Sequence, residues 1–175
     1  YEIYQCDWSS DVCSSDLLGG MVSDAPRDQL DTLEAFGEAL GMAFQLSDDI
    51  MDLTATEAEL GKEPGVDLKE GVFTLPVLVA LAGAHGSELA TLLTERPLEG
   101  ERMARALEIV RAPEALGPAR AAVRAEVDRA VALARRLPAG PATESFEQLA
   151  RFLAARCGAD EPDARLRPEP TGGGA

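Results

Sequence analysis

The stretch FQLSDDIMDL, Phe44–Leu53, places three aspartates in a segment whose other residues are largely apolar. Upstream of it, apolar residues recur at spacings near one helical turn, as at Leu33, Leu40 and Phe44. This period predicts an amphipathic helix over about residues 25–54. Acidic side chains are almost never fully buried unless they are paired, so such a helix needs positive partners for its aspartates.

Four polar residues of this segment, Gln45, Asp48, Asp49 and Asp52, stand at i, i+3, i+4 and i+7. Positions at this spacing share one face of a helix, and like charges on that face repel each other. Carboxylate oxygens suit Mg²⁺, which proteins usually bind through one or two carboxylates together with substrate phosphates. Two interpretations stay open: a diphosphate site held through magnesium, or a solvated acidic face on an acidic protein.

The segment GKEPGVDLKEG at residues 61–71 follows as a glycine-rich loop. Glycines allow the backbone to approach a ligand closely, and Lys62 offers a point charge for a phosphate. Asp67 offers a further metal ligand or a supporting acceptor. Anionic and cationic groups so close in sequence favour a metal–diphosphate site over a plain acidic surface.

The remainder of the chain shows helical periods and no alternation typical of strands, so the predicted fold class is all-α. TLPVLVALAGA begins with Thr74 as a cap and is apolar nearly all round, which predicts a helix central to a bundle. Residues 55–73 are predicted to be a loop, with one helical turn at Thr56–Leu60. Further helices are predicted over about residues 87–94, 99–111, 113–137 and 143–157.

The composition limits the partners of this chain. Its 175 residues include 46% hydrophobic residues, enough for one domain with a core, and its formal net charge of −15 argues against nucleic acid and anionic membranes. No run of about 18 apolar residues is present, which predicts no integral membrane span. Three cysteines, odd in number and far apart, favour a reducing compartment, and we expect a cytoplasmic protein.

The two ends of the chain differ in character from the rest. Both tyrosines, the only tryptophan and two of the three cysteines fall within residues 1–13. We therefore expect residues 1–17 to be foreign to the fold, and the chain to be a fragment of a longer natural protein. Residues 158–175 are rich in proline and glycine without a period, which predicts a disordered tail.

Three motifs in order, FQLSDDIMD, GKEPGVDL and TLPVL, resemble the second aspartate-rich region of the trans-polyprenyl diphosphate synthases. The resemblance implies the all-α helical bundle of the isoprenoid synthase type, with residues 18–157 as its C-terminal half and the N-terminal half missing. It also implies a prenyltransferase that condenses an allylic prenyl diphosphate with isopentenyl diphosphate. In that reaction magnesium assists the departure of diphosphate.

The resemblance implies Mg²⁺ as cofactor and four carboxylates as its ligands. Asp48 is the strongest ligand candidate, and Asp49 and Asp52 would hold the metal or its waters. Asp67 would support the same metal cluster and is counted among the cofactor-binding residues.

Three further residues take implied roles from the same resemblance. Lys62 would contact the allylic diphosphate, and Phe44 and Gln45 would face the reacting carbons, where an aromatic face and an amide oxygen stabilise a cation. The family's second lysine, just before the TLP segment, is replaced here by Val72. The first aspartate-rich motif has no match in this chain.

Two other functions stay open at this point: a non-catalytic helical subunit that pairs with an active synthase, and a terpene cyclase of the same fold. The intact carboxylate stripe and the GKEPGVDL and TLP segments favour chain elongation over both. We expect the chain alone to be catalytically inert or nearly so, because half of the metal clamp is absent. The resemblance implies a homodimer for the full-length enzyme.

Overall fold

The computed structural model describes residues 18–56, 61, 63–94 and 97–160. Within these ranges no strand forms, which confirms the all-α prediction, and residues 18–22 are helical. Seven helices are described from end to end: α1 (Arg27–Thr54), α2 (Val66–Glu70), α3 (Leu75–Ala82), α4 (Gly86–Thr94), α5 (Gly100–Val110), α6 (Pro113–Ala134) and α7 (Pro141–Arg156).

Helix α1 is the central element and contains the aspartate stripe in its last two turns. It begins after Pro26, close to the predicted start, and ends before Ala55, whose backbone is extended. At 1.5 Å per residue its 28 residues span about 42 Å. The stripe lies where α1 meets the following loop.

The larger hydrophobic cluster joins α1 to α6 and α7. Helix α6 packs through small side chains such as Val123, Val127 and Ala130, which allow the two helix axes to approach closely. Phe36 of α1 is fully buried, and its ring centroid lies 4.8 Å from that of Phe146 on α7. This packing fixes the rotation of α1 about its own axis, and with it the direction of each aspartate.

A second hydrophobic cluster surrounds the C-terminal end of α1. Leu53 packs there with Leu68 of α2, with Val77 of α3 and with apolar residues of α4 and α5. Leu68 is fully buried in this cluster and packs the segment after α1 against the core. Burying such a side chain contributes about 2 kcal/mol.

Three predicted elements differ in the structure. Residues 66–70, predicted to be loop, form the short helix α2, which is flanked by Gly65 and Gly71, both with positive φ. Helix α3 is apolar all round, yet Leu78 is 52% exposed, so one face of α3 is not covered by the residues that the structure describes. The helix predicted to end near residue 137 ends at Ala134. The turn predicted at residues 56–60 lies almost wholly outside the described residues.

Residues 158–160 continue the packed structure beyond α7. Gly158 has a φ of 66° and Ala159 is fully buried, so the predicted start of the tail falls within packed chain. The rest of that predicted tail and the predicted foreign segment 1–17 lie outside the described residues, and both remain predictions. No helix in the described part of the chain is both long and apolar enough to cross a membrane.

Candidate functional site

The three aspartates of α1 lie in different environments. Asp49 and Asp52 are buried, whereas the Asp48 side chain is 44% exposed. Their immediate neighbours Ser47 and Ile50 are fully buried, because the packing against α6 turns this part of α1 into the protein. The stripe predicted from spacing is therefore a row that begins near the surface and runs inward.

Asp52 is tied to the segment that follows α1. Its Oδ2 accepts a hydrogen bond from the backbone N–H of Asp67 at 3.3 Å, and its carbonyl accepts one from the N–H of Gly65 at 2.7 Å. Gly65 has a φ of 80°, and a Cβ there would lie 2.7 Å from Cε of Met103. Glycine is needed at this position because the backbone is left-handed and packs closely against α5, whereas the sequence suggested an approach to a ligand.

Arg111, which follows α5, also binds the end of α1. Its Nε donates to the carbonyl of Leu53 at 2.5 Å, one of the last carbonyls of the helix without an intrahelical partner. Nothing in the local sequence around Arg111 indicated this contact, because the two residues meet only through tertiary packing. The last turn of α1 is thus held by backbone N–H groups of Gly65 and Asp67 and by the side chain of Arg111.

Asp49 lies at the centre of the carboxylate group. The amide Nε2 of Gln45 donates to its Oδ1 at 2.9 Å, which lowers its pKa. Burial outweighs this bond and raises the pKa of Asp49 above its ordinary value, and the nearby charges of Asp67 and Asp52 raise it further. Four of the predicted site residues are therefore brought together, and three of them repel one another electrostatically.

Asp48 and Phe44 are brought together on the other side of the row by a residue that sequence reasoning missed. Arg156, the last residue of α7, forms an ion pair through Nη2 with Oδ1 of Asp48. Its guanidinium carbon lies 4.9 Å from the centroid of the Phe44 ring, in cation–π geometry. The only sequence signal was a basic residue in the last turn of the final predicted helix, which has a common explanation in the helix dipole.

The loop that follows α1 contains one more predicted site residue and borders a cavity. Lys62, the predicted contact to diphosphate, lies outside the described residues. A cavity of about 370 Å³ opens beside the loop and is lined by Glu63, Lys69, Glu99 and Met103 among others. No aspartate of the row lines this cavity, so it is separate from the carboxylate group.

The donor chemistry of the row fits a hard divalent cation, because all four predicted ligands are carboxylates. Within the ranges that the structure describes, however, no three His, Cys, Asp or Glu side chains are gathered so that they could hold a metal ion. In this conformation Asp48 forms an ion pair with Arg156 in place of a contact to a metal ion. The fit to Mg²⁺ thus rests on the nature of the donors and not on a preformed cage.

Comparisons with known proteins agree with the motifs. The family model for polyprenyl synthetase matches residues 12–110, a range that includes part of the predicted foreign segment. Nonaprenyl diphosphate synthase of Mycobacterium tuberculosis is 39% identical over 105 residues, 59% of this chain and 31% of the relative. Heptaprenyl diphosphate synthase component 2 of Geobacillus stearothermophilus is 32% identical over 145 residues, 83% of this chain and 45% of the relative.

Solved structures support the fold. Geranylgeranyl pyrophosphate synthase from Corynebacterium glutamicum, complexed with calcium and isoprenyl diphosphate, superposes with a TM-score of 0.73 at 35% identity. The superposition covers 86% of this chain and 50% of that one. The chain therefore has the isoprenoid synthase type of all-α fold over the part it contains, and spans less than half the length of the two curated relatives. It is a member of the polyprenyl synthetase family.

Proposed function

We propose that this chain supplies the diphosphate-binding part of a prenyltransferase that joins an allylic prenyl diphosphate to isopentenyl diphosphate. The allylic carbon–oxygen bond breaks, the double bond of isopentenyl diphosphate attacks the resulting cation, and a proton leaves. The observation that supports this most is the convergence of Asp49, Asp52 and Asp67 at the end of α1. Two of these carboxylates are buried, the third is half-buried, and a divalent cation would offset their mutual repulsion.

The metal in this proposal is Mg²⁺, held by Asp48, Asp49, Asp52 and Asp67. When bound, it supplies positive charge that stabilises the departing diphosphate. Because magnesium usually keeps waters and shares its coordination with phosphates, a complete protein cage is not required. The Corynebacterium glutamicum structure is described as complexed with calcium and isoprenyl diphosphate, which supports proposing both a divalent cation and a prenyl diphosphate as ligands here.

The protein's own groups orient the site. The N–H of Asp67 holds one carboxylate oxygen of Asp52, and the amide of Gln45 holds one of Asp49, so both carboxylates are directed before any ligand arrives. The Phe44 ring presents its face to a cation, which in this structure is a guanidinium. In the reaction, the same face would stabilise the allylic cation, and Lys62 would contact the diphosphate.

A second candidate is a subunit of a two-part synthase. The Geobacillus stearothermophilus relative is named as component 2 of heptaprenyl diphosphate synthase, which supports the idea that this chain belongs to a protein with an unlike partner. The family resemblance alone implies a homodimer. In either assembly, we place the carboxylate row in the catalytic subunit.

A chimaera tests the proposed reaction. The upstream part of the Corynebacterium glutamicum synthase would be joined to this chain at the start of α1, and product formation from the two diphosphates measured. We expect magnesium-dependent turnover that falls at least about 100-fold with Asp48→Ala. The exposed Asp28→Ala serves as control, and an unchanged rate for Asp48→Ala would contradict the proposed role. The same assay applied to the 175-residue chain without the added segment should give no product above background. Robust turnover by this chain would contradict that expectation.

A further inference from the structure

Arg156 meets the carboxylate row at its outer end. Its side chain is 17% exposed, pairs with Asp48, and lies over the Phe44 ring. Burial lowers the pKa of this guanidinium, yet an arginine stays charged at neutral pH. A permanent positive charge therefore lies against the first carboxylate of the row.

The position of Arg156 is built into the end of α7. The N–H of Ala159 donates to the carbonyl of Ala154 at 2.8 Å, and the N–H of Gly158 to that of Ala155 at 3.1 Å. Together with the positive φ of Gly158, this is a Schellman motif, which stops the helix one residue after Arg156. The side chain is consequently presented from a closed helix end and not from a frayed one.

Two arginines of α6 fasten this helix end from outside. Arg120 donates through Nε to the carbonyl of Cys157 at 3.0 Å, and Arg124 donates through Nη1 to that of Ala159 at 3.0 Å. Both carbonyls lie beyond the last turn of α7, so these bonds hold the cap against the bundle. The guanidinium of Arg156 is thereby brought to Asp48 by three elements that all belong to the core.

We propose that Arg156 is an internal counter-ion of the carboxylate row, which competes with a divalent cation for Asp48. The proposal rests on the proposed magnesium site. The guanidinium takes up lone-pair capacity of Asp48 Oδ1 that a metal would otherwise use, and its positive charge repels a doubly charged ion. A divalent cation that binds Asp48 must therefore weaken or displace the ion pair between Asp48 and Arg156.

If Arg156 competes with a metal ion for Asp48, removing its charge should change the metal affinity of the 175-residue chain. Free Mn²⁺, titrated without any diphosphate and counted by electron paramagnetic resonance, reports binding directly. Arg156→Gln should tighten Mn²⁺ binding by about 3- to 10-fold, the size expected when one adjacent positive charge is removed. Arg151→Gln is the matched control, since it makes the same charge change one turn away on α7 at a 58% exposed side chain paired with Glu147.

Three results would overturn the proposal. Mn²⁺ affinities that change equally in Arg156→Gln and Arg151→Gln would show a general charge effect only. Weaker binding in Arg156→Gln would show that Arg156 supports the metal. If Arg156→Gln tightens Mn²⁺ binding by the same factor in an Asp48→Asn background, the guanidinium and the metal do not compete for Asp48.

A measurement on the unaltered chain covers the case in which Arg156→Gln does not fold. The arginine Nε–H signal of Arg156, followed by NMR, should shift as Mg²⁺ is added and stay fixed in Asp48→Asn; a signal that ignores Mg²⁺ contradicts competition. Asp52→Asn separates the two proposals, because unchanged Mn²⁺ binding in that variant refutes the metal site itself. Weakened binding in Asp52→Asn with no effect of Arg156→Gln refutes the counter-ion alone.

Discussion

At the scale of single residues, its surroundings in α1 disfavour the charged form of Asp49. Burial and the charges of Asp52 and Asp67 raise its pKa above the ordinary value, while the bond from Gln45 only partly offsets them. The folded chain thus binds this proton more tightly than the unfolded chain. The contribution of Asp49 to stability is present at low pH and is lost as pH rises through the raised pKa.

Asp49→Asn should therefore raise the melting temperature of the metal-free chain at pH 7, and raise it less at pH 4, where a larger fraction of the wild-type carboxyl is protonated. The exposed Asp28→Asn in the first turn of α1 is the control and should give no such gain, because its charge favours the helix dipole. Thermal unfolding followed by circular dichroism at both pH values checks this. A lower melting temperature for Asp49→Asn at pH 7 would contradict the inference that the charged form of Asp49 destabilises the folded chain.

The residues of the row could be predicted from sequence, but their partners could not. Helical spacing alone placed Gln45, Asp49 and Asp52 on one face, and the structure pairs Gln45 with Asp49 across one turn. Arg111 and Arg156 were missed because each reaches α1 from a distant helix. Contacts of this kind depend on how helices pack, and a one-dimensional pattern does not encode that packing.

At the scale of elements, the junction between α1 and α2 decides the geometry of the row. The long helices were predicted to within a few residues, since a period of 3.6 is clear over many turns. Helix α2 was missed because five residues are too few to show a period. Its limits are set instead by Gly65 and Gly71, whose left-handed backbone ends the flanking turns.

Gly65→Ala should destabilise the chain by about 2 to 3 kcal/mol. A left-handed alanine costs about 1 to 2 kcal/mol, and its Cβ would also press on the side chains of Met103 and Leu107. Gly61 is a matched control because its φ is 68° and a Cβ there meets nothing within 4 Å. Gly61→Ala should therefore lose only the backbone part, about 1 to 2 kcal/mol.

Urea unfolding of the two variants measures this difference. Equal losses for Gly65→Ala and Gly61→Ala would mean that the close approach of Gly65 to α5 is not as the structure has it. Amide exchange at residues 50–54 gives a second readout, since loosening of the Gly65 bond to Asp52 should speed exchange at the end of α1.

At the scale of the whole molecule, the chain exposes apolar side chains that a complete fold would be expected to cover. Val72, Phe73 and Leu78 are 48%, 43% and 52% exposed around the start of α3. The sequence predicted that α3 is apolar and central in a bundle. The helix is apolar, but within the described residues no other segment covers the face that carries Leu78. The chain spans less than half of the two curated relatives, which agrees with a partner surface supplied from outside it.

The isolated chain should consequently self-associate through the α3 surface. Replacing Phe73 with Ser and Leu78 with Gln should shift it toward monomer in sedimentation velocity runs at equal concentration. The pair Leu149→Gln and Phe152→Gln on α7 is the comparison, because those side chains are also exposed but belong to another face. A monomer already in the wild-type chain, or an effect only from the α7 pair, would contradict this.

The central claim is that the carboxylate row at the end of α1 binds a prenyl diphosphate only through a divalent cation. Equilibrium dialysis of an isotope-labelled allylic prenyl diphosphate against the chain, with Mg²⁺ and after complete chelation, measures it most directly. We predict at least about 10-fold weaker binding after chelation, and a similar loss with Mg²⁺ present in an Asp48→Asn, Asp52→Asn double variant. Binding that is equally strong without metal and in that variant would contradict the claim.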